Sequence, residues 1–359
     1  MNSLRLSICM PTYNFGRFIG DALDSVLKQA TDEVEIIVLD GASTDNTPEV
    51  VSSFQARFPR LYYQRLDRRG GIDRDMARSV ELASGEYCWL FSSDDVMREG
   101  ALRDVLKEIT LGFDLYLCGL TLCTIDMQPI AQHRILRLPC DAEFELSNEK
   151  DRRRYFRLAE TTTAFFSFMG SVIFKKSRWD AIPFDEAFDG TLYALAARIF
   201  AMIPGGLRLK YLSHSYLFNR GDNDSFMDKG PGHRYRLAIN GYDRLAEAFF
   251  PRDSVEAAAI RRAVRNEFPS IDGLLKFKLA NSRGNEDDIQ LLDRLAAAIY
   301  SERPPIARTL FFLYTITPFQ LVRAGWPLIR PIARLLDSPT PFGERVSKAL
   351  RFWRRVFSN

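Results

Sequence analysis

Apolar residues in the first third of the chain fall into short runs that end in polar turns and alternate with helical patterns. Leu4 to Met10 is one such run, and Pro11-Thr12-Tyr13-Asn14 stops it before a helical pattern from Phe18 to Leu27. A second run, Val34 to Leu39, ends at Asp40 and leads through Gly41-Ala42-Ser43-Thr44-Asp45 into a helix over Pro48 to Phe58. Leu61 to Arg65 predicts a third strand, Asp73 to Ala83 a helix, and Tyr87 to Phe91 a fourth strand. Strands that end in polar turns and alternate with helices indicate an α/β fold with a doubly wound, mostly parallel sheet.

After Gly232 the pattern becomes helical, with Tyr235 to Phe249, Val255 to Leu279 and Asp287 to Tyr300 separated by Pro251 and by Ser282-Arg283-Gly284-Asn285. Leu310 to Val322 is strongly apolar, but it contains Thr315, Thr317, Pro318 and Gln320 and is too short to span a bilayer. These shifts predict a sheet domain over residues 1–230, in two halves at 1–110 and 111–230. A helical extension over 231–303 and a basic amphipathic tail over 304–359 follow.

With 359 residues, 46% hydrophobic and 26% charged, the chain is an ordinary globular protein able to bury a substantial core. Five scattered cysteines, mostly inside apolar runs, behave as small hydrophobes, and with no secretory leader they predict a reducing cytoplasm. His133, His214 and His233 lack zinc-ligand spacing. From Arg303 onward there are ten Arg/Lys against two Asp/Glu, a local +8 in a chain of net charge +3. The rest of the chain therefore stands at −5, and the basic excess belongs to the tail. Arg345 to Phe357 mixes cations with aromatics, as a helix lying on an anionic membrane does. No nucleic-acid reader motif accompanies that charge.

In a doubly wound sheet, ligands bind at the carboxyl ends of the strands, which brings Asn14, Asp40 and the pair Asp94/Asp95 to one edge. Adjacent carboxylates at a strand end form a hard-oxygen site for Mg²⁺ or Mn²⁺, ions that also hold substrate phosphates. Alone, Ser92-Ser93-Asp94-Asp95 serves equally as a turn and helix cap, and the motifs upstream are what favour the metal reading. Asp40 can accept hydrogen bonds from a pyrimidine imide or amine, and Thr12 and Asn14 can address base or ribose. Gly70-Gly71 allows close backbone approach before a helix N-terminus, and Arg69 and Arg74 beside it suit a phosphate. The turn after the first strand has no glycine fingerprint, which argues against a dinucleotide oxidoreductase.

Pro11-Thr12-Tyr13-Asn14, Asp40-Gly41-Ala42-Ser43-Thr44-Asp45, Arg69-Gly70-Gly71 and Ser84-Gly85-Glu86-Tyr87 leading to Ser93-Asp94-Asp95 together resemble the nucleotide-sugar domain of family 2 glycosyltransferases. The resemblance implies a GT-A fold, an inverting transfer, and a nucleotide-sugar site drawing on Pro11, Thr12, Tyr13, Asn14, Asp40, Ala42, Arg69, Gly71, Arg74 and Asp94. In that family the Asp after the second strand contacts the base, here Asp40, and the last Asp of the acidic motif ligates the metal, here Asp95. Ser92 replaces the first carboxylate of the commoner motif, so metal binding rests on Asp95 and Asp94.

More narrowly, Tyr87-Cys88-Trp89, Tyr116-Leu117-Cys118, Arg178-Trp179-Asp180-Ala181, Gly190-Thr191 and Arg220-Gly221-Asp222-Asn223-Asp224-Ser225-Phe226 are similar to the abequosyltransferase-like O-antigen branch. That likeness covers roughly residues 4 to 250. It implies a sugar of the deoxy- or dideoxyhexose kind moved to a polyprenyl-diphosphate-linked oligosaccharide at the cytoplasmic face of the inner membrane. Arg220 is then expected on the diphosphate, with Asp222 or Asp224 completing the metal shell or orienting the sugar. Many family members carry the catalytic base as a Glu-Asp pair opening a helix, where this chain has Gly190-Thr191. Asp189 lies nearest the expected place, with Asp185 and Glu186 as competitors. Those departures leave room for a catalytically silent sugar-nucleotide or glycan-binding protein.

Overall fold

The computed structural model describes residues 4–221, 223, 230–267, 305–316 and positions 321, 324, 325, 327 and 328. β1 (Leu6–Thr12), β2 (Val34–Asp40), β3 (Leu61–Arg65) and β4 (Tyr87–Leu90) form a parallel block in the order β3-β2-β1-β4. The intervening helices are α1 (Ile19–Leu27), α2 (Thr47–Gln55) and α3 (Ile72–Glu81). Each of these three expected helices is present, with ends that agree to within three residues.

The runs are apolar throughout because both sheet faces are covered. Ile8, Met10, Ile36, Val38 and Trp89 pack with Ile19, Leu23 and Val26 of α1 in one core cluster. Cys9, Ile37, Cys88 and Leu90, one residue out of phase, pack with Met76 and Val80 of α3 in the other. Each fully buried Leu, Ile or Val here stabilises the fold by about 2 kcal/mol.

Beyond β4 the sheet becomes mixed. After β5 (Val96–Met97) and α4 (Ala101–Glu108) come β6 (Leu115–Cys123), β7 (Pro129–His133), β8 (Ala142–Glu145), α5 (Glu149–Leu158), β9 (Val172–Lys175), α6 (Lys176–Asp180), α7 (Ala194–Met202) and β10 (Arg208–Arg220). β9 lies between β4 and β6, antiparallel to both, while β10 runs parallel to β6 and ends with Arg220 opposite Cys123. The expected parallel winding thus holds for the first four strands, and a ten-stranded mixed sheet is built out from them.

Two compact units divide the chain: Met1–Ser225 with Leu237–Asn266, and Phe226–Arg236 with Glu267–Asn359. In the first, Tyr242, Leu245 and Ala246 of α8 (Gly230–Phe249) and Ala257, Ile260 and Ala263 of α9 (Val255–Glu267) join the core. Gly241 permits that packing, because a Cβ there would lie 2.0 Å from the Tyr193 ring. In the second unit, α10 (Pro305–Ile316) buries Phe311 and exposes Phe312, Leu313 and Ile316. The helices expected over Asp287 to Tyr300 and Arg345 to Phe357 lie outside the described residues, as does the part of the Val255 to Leu279 helix beyond 267. Among the described residues, no helix is long and apolar enough to cross a membrane.

Candidate functional site

The carboxyl ends of β2, β1 and β4 are tied together by side chains of the turns that follow them. Thr12 pairs with Asp40 in the ladder, and the Gly41 N–H donates to the Thr12 carbonyl oxygen at 2.9 Å. Ser93 Oγ donates to the Pro11 carbonyl oxygen at 2.9 Å, fixing the acidic loop to the β1 turn. Asn14 adopts φ +57°, a left-handed conformation that Asn tolerates better than most residues, and its Oδ1 accepts from Thr44 N at 2.7 Å. Its backbone N–H donates to Ser43 Oγ at 2.8 Å. Asn14, expected on base or ribose, therefore holds the two turns together. Thr12 Oγ1 is buried without a hydrogen-bond partner, and Ala42, on the turn after β2, holds φ +68°.

Asp40 is fully buried, and both oxygens are engaged: Oδ1 accepts from Ser43 N at 2.7 Å and Oδ2 from Tyr63 Oη at 2.7 Å. Burial and the Asp40 hydrogen bond raise the Tyr63 hydroxyl pKa far above its ordinary value, so it remains the donor. Arg69 lays its guanidinium over the Tyr13 ring, 4.0 Å from the centroid. Gly71 precedes α3 with φ +96°, which only glycine adopts without strain.

Asp95 is fully buried at the end of the acidic loop. Oδ1 accepts from Asn219 Nδ2 and from the Arg220 backbone N–H, each at 3.0 Å, whereas Oδ2 is buried with no partner. Burial pushes its carboxyl well above the usual range, and Asp94 beside it pushes further. Asp94 is held by the Ser92 hydroxyl and by Asn223 Nδ2. An orphaned carboxylate oxygen with a second carboxylate next to it in the chain fits a divalent cation, although the described residues contain no group of three or more His, Cys, Asp or Glu able to hold a metal. Asp222 and Asp224 lie outside the described residues.

Arg220 and Arg74, both expected on the donor diphosphate, are engaged within the protein. Arg220 is buried, and its guanidinium donates to the Asp94 carbonyl (2.8 Å), the Ile125 carbonyl (2.7 Å) and Asp21 Oδ2 (2.9 Å) while covering the Phe18 ring. Each nitrogen of the group makes one such bond, so it braces the acidic loop. Arg74 reaches across to the segment before α7, donating to Asp189 Oδ2 at 2.8 Å and Glu186 Oε2 at 2.5 Å. It thereby ties two of the base candidates to α3. The third, Asp185, caps the turn after it by accepting from Ala187 N at 2.9 Å.

The sequence reading missed Asp73 and Asp75. Asp73 is buried and accepts from Leu192 N (2.9 Å) and Ala194 N (3.3 Å), capping the start of α7 from α3. Burial raises its carboxyl and these amide donors lower it. The signal was the acidic first turn of α3, ordinary for any helix start.

This architecture is that of a nucleotide-sugar transferase, and comparison with known proteins agrees. The model of glycosyl transferase family 2 matches residues 7–180. The chain is 34% identical over 271 residues to abequosyltransferase RfbV of Salmonella typhimurium, covering 73% of this chain and 79% of that one. It is 27% identical over 197 residues to the GalNAc(5)-diNAcBac-PP-undecaprenol beta-1,3-glucosyltransferase of Campylobacter jejuni, covering 55% and 60%. Among solved structures, TarS 1-349 of S. aureus in complex with UDP-GlcNAc superposes with a TM-score of 0.55 at 17% identity, covering 93% of this chain and 90% of that one. Mannosyltransferase PcManGT of Pyrobaculum calidifontis, in complex with GDP-Man and Mn²⁺, gives 0.50 at 18% identity, covering 90% and 87%. The chain belongs to glycosyl transferase family 2 and is a glycosyltransferase with a GT-A fold.

Proposed function

We propose that the enzyme moves a sugar of the deoxy- or dideoxyhexose kind from a nucleoside diphosphate to a polyprenyl-diphosphate-linked oligosaccharide in surface polysaccharide synthesis. Likeness to RfbV and to the undecaprenol-linked glucosyltransferase supports this reading. The observation that carries the donor side is Asp95 Oδ2, a buried carboxylate oxygen without a partner at the end of the acidic loop. Asp95, with Asp94 next to it, would hold Mg²⁺ or Mn²⁺, which supplies positive charge against the departing diphosphate. Tyr13 offers an aromatic face to a planar base once Arg69 shifts, and the glycines at 70 and 71 let backbone approach the diphosphate.

Asp189 is the carboxylate we assign to take the acceptor hydroxyl proton as the new bond forms. Arg74 holds Oδ2 and so orients the group, with Glu186 held by the same guanidinium. Arg220, through its grip on the Asp94 carbonyl, keeps the acidic loop in place while charge develops on the leaving group.

The tail suits a lipid-linked acceptor. α10 exposes Phe312, Leu313 and Ile316, and the last 57 residues carry ten Arg/Lys, the combination that seats a helix on an anionic surface. Such seating would place the enzyme peripherally on the cytoplasmic face of the inner membrane.

Screening CDP-, UDP-, GDP- and dTDP-sugars for metal-dependent release of nucleotide tests the donor side, and radiolabel transfer to a polyprenyl-linked acceptor tests the rest. The engagement of Asp189 and Glu186 by Arg74 also favours a second reading, a silent sugar-nucleotide binder. Binding without hydrolysis or transfer for any of the four donors would select it.

A further inference from the structure

A cavity of ≈ 670 Å³ is lined by the end of β3, the turn after it and α3, together with Phe184 and Glu186 from the segment before α7. Tyr13, Asp40, Asp94 and Asp95 are not among its lining residues, so it lies outside the donor groups described above. It nevertheless shares Arg69 and Gly70 with the donor side, and Arg74 and Glu186 with the ion pairs that hold Asp189. A molecule in it touches both the donor turn and the segment that carries the assigned base, which is the placing an acceptor needs.

The lining defines the kind of molecule that fits. Five arginines and four carboxyl groups border the cavity, a near balance that suits a neutral ligand over a polyanion. The side chains of Gln64, Asp67, Arg68, Arg78 and Glu81 make no hydrogen bond or ion pair within the protein among the described residues. Amide, carboxylate and guanidinium groups are thus free to donate to hydroxyls and accept from them. Phe184, with the Arg74 guanidinium 5.2 Å from its ring centroid, adds an aromatic face against which the C–H face of a sugar ring can lie. A hydrocarbon chain in the same space would strip these charged groups of water with nothing in return.

We propose that this cavity is the subsite for the glycan of the acceptor, in which Arg78 and Glu81 hold sugar hydroxyls while the attacking one is presented to Asp189. This deepens the reading of the chain as a transferase to a lipid-linked oligosaccharide and rests on it. The β3–α3 turn then serves both substrates, with Arg69 on the donor side and Arg78 on the acceptor side.

The test is radiolabel transfer from the preferred sugar nucleotide to an undecaprenyl-diphosphate-linked oligosaccharide by full-length wild type, Arg78→Ala, Glu81→Ala and the double variant. Both positions are exposed on α3, where alanine favours the helix, so the variants fold. Each single substitution should raise the acceptor KM by about threefold or more, and the double by about tenfold or more, the worth of lost hydrogen bonds. The donor KM should stay within about twofold of wild type. Arg78→Lys, which keeps the charge without the fork, should fall between wild type and Arg78→Ala. An unchanged acceptor KM in the double variant overturns the proposal, as does a donor KM that rises in step with it. If wild type releases nucleotide from its donor but transfers to no such acceptor, the lipid-linked reading itself fails and this subsite falls with it.

Discussion

Asn219 donates its side-chain amide to Asp95 Oδ1 at 3.0 Å across 124 residues of sequence, and the oxygen beside it, Oδ2, is left buried and bare. The end of β10 thereby holds one oxygen of the carboxylate and leaves the other without a partner. Asn219→Ala removes that hold without removing the ligand. Activity should fall by about ten- to a hundredfold, the scale of losing a supporting partner at a metal site, and raised Mn²⁺ should recover part of it. An unchanged Mn²⁺ dependence would show that Asn219 does not position Asp95.

Arg74 joins α3 to the segment that carries Asp189 through exposed ion pairs, and exposed pairs contribute little to stability. Arg74→Ala should therefore leave the melting temperature within about 2 °C of wild type while lowering kcat more than it raises the donor KM. Arg74→Lys, a point charge in place of a fork, should restore only part of the rate. A loss confined to donor KM would return Arg74 to the phosphates.

Burial pushes the Asp75 carboxyl up to about 6, with Arg69 and Arg78 pulling it down and Asp40 pushing it up. The folded state thus binds this proton more tightly than the unfolded chain, whose Asp titrates near its ordinary 3.8. The favourable contribution is complete below that value and is lost as pH rises through about 6. Asp75→Asn, which cannot ionise, should be more stable than wild type at pH 8 by roughly 2 kcal/mol, and the difference should vanish near pH 4. Urea melts across that range measure it, and a pH-independent difference would contradict the shift.

Gly71 holds φ +96° with nothing within 4 Å of where a Cβ would stand, so substitution there meets no clash. Gly71→Ala should still cost about 1–3 kcal/mol, entirely from backbone strain at the start of α3. A cost well under 1 kcal/mol in thermal melts would mean that the turn relaxes, and with it the path left open for a diphosphate.

What was legible in the sequence follows from what is local. β1 to β4 each end in a turn motif of their own, so the alternation of strand and helix, and the strand ends that carry Asp40 and Asp95, can be read residue by residue. The insertion of β9 between β4 and β6 depends on pairing between distant segments, and nothing in Val172–Lys175 announces its direction. Arg74 beside a glycine pair reads as a phosphate ligand, and nothing local announces its ion pair with Asp189, 115 residues away. Arg220 was sought on the diphosphate because its partners Asp21 and Ile125 lie 199 and 95 residues off. Asp75 looked like one more charge on a helix, since its burial arises only where Gly41 and Gly70 close over it.

On the tail, full-length protein should float with liposomes containing anionic lipid and not with neutral ones, with binding that weakens as salt rises. The double substitution Phe312→Ser, Leu313→Ser should reduce flotation without changing hydrolysis of a soluble sugar nucleotide. Equal flotation with neutral vesicles, or no effect of the substitutions, would remove the membrane assignment of α10.

The central claim is that Asp95 is the carboxylate through which a divalent cation serves the departing nucleotide. Release of nucleoside diphosphate from CDP-, UDP-, GDP- and dTDP-sugars, measured with and without Mn²⁺ in wild type and Asp95→Asn, tests it most directly. Wild type should show metal-dependent release from one preferred donor, and Asp95→Asn should lose on the order of 3 kcal/mol in the barrier, about a hundredfold or more. Normal turnover by Asp95→Asn, with its metal content unchanged, would contradict the account.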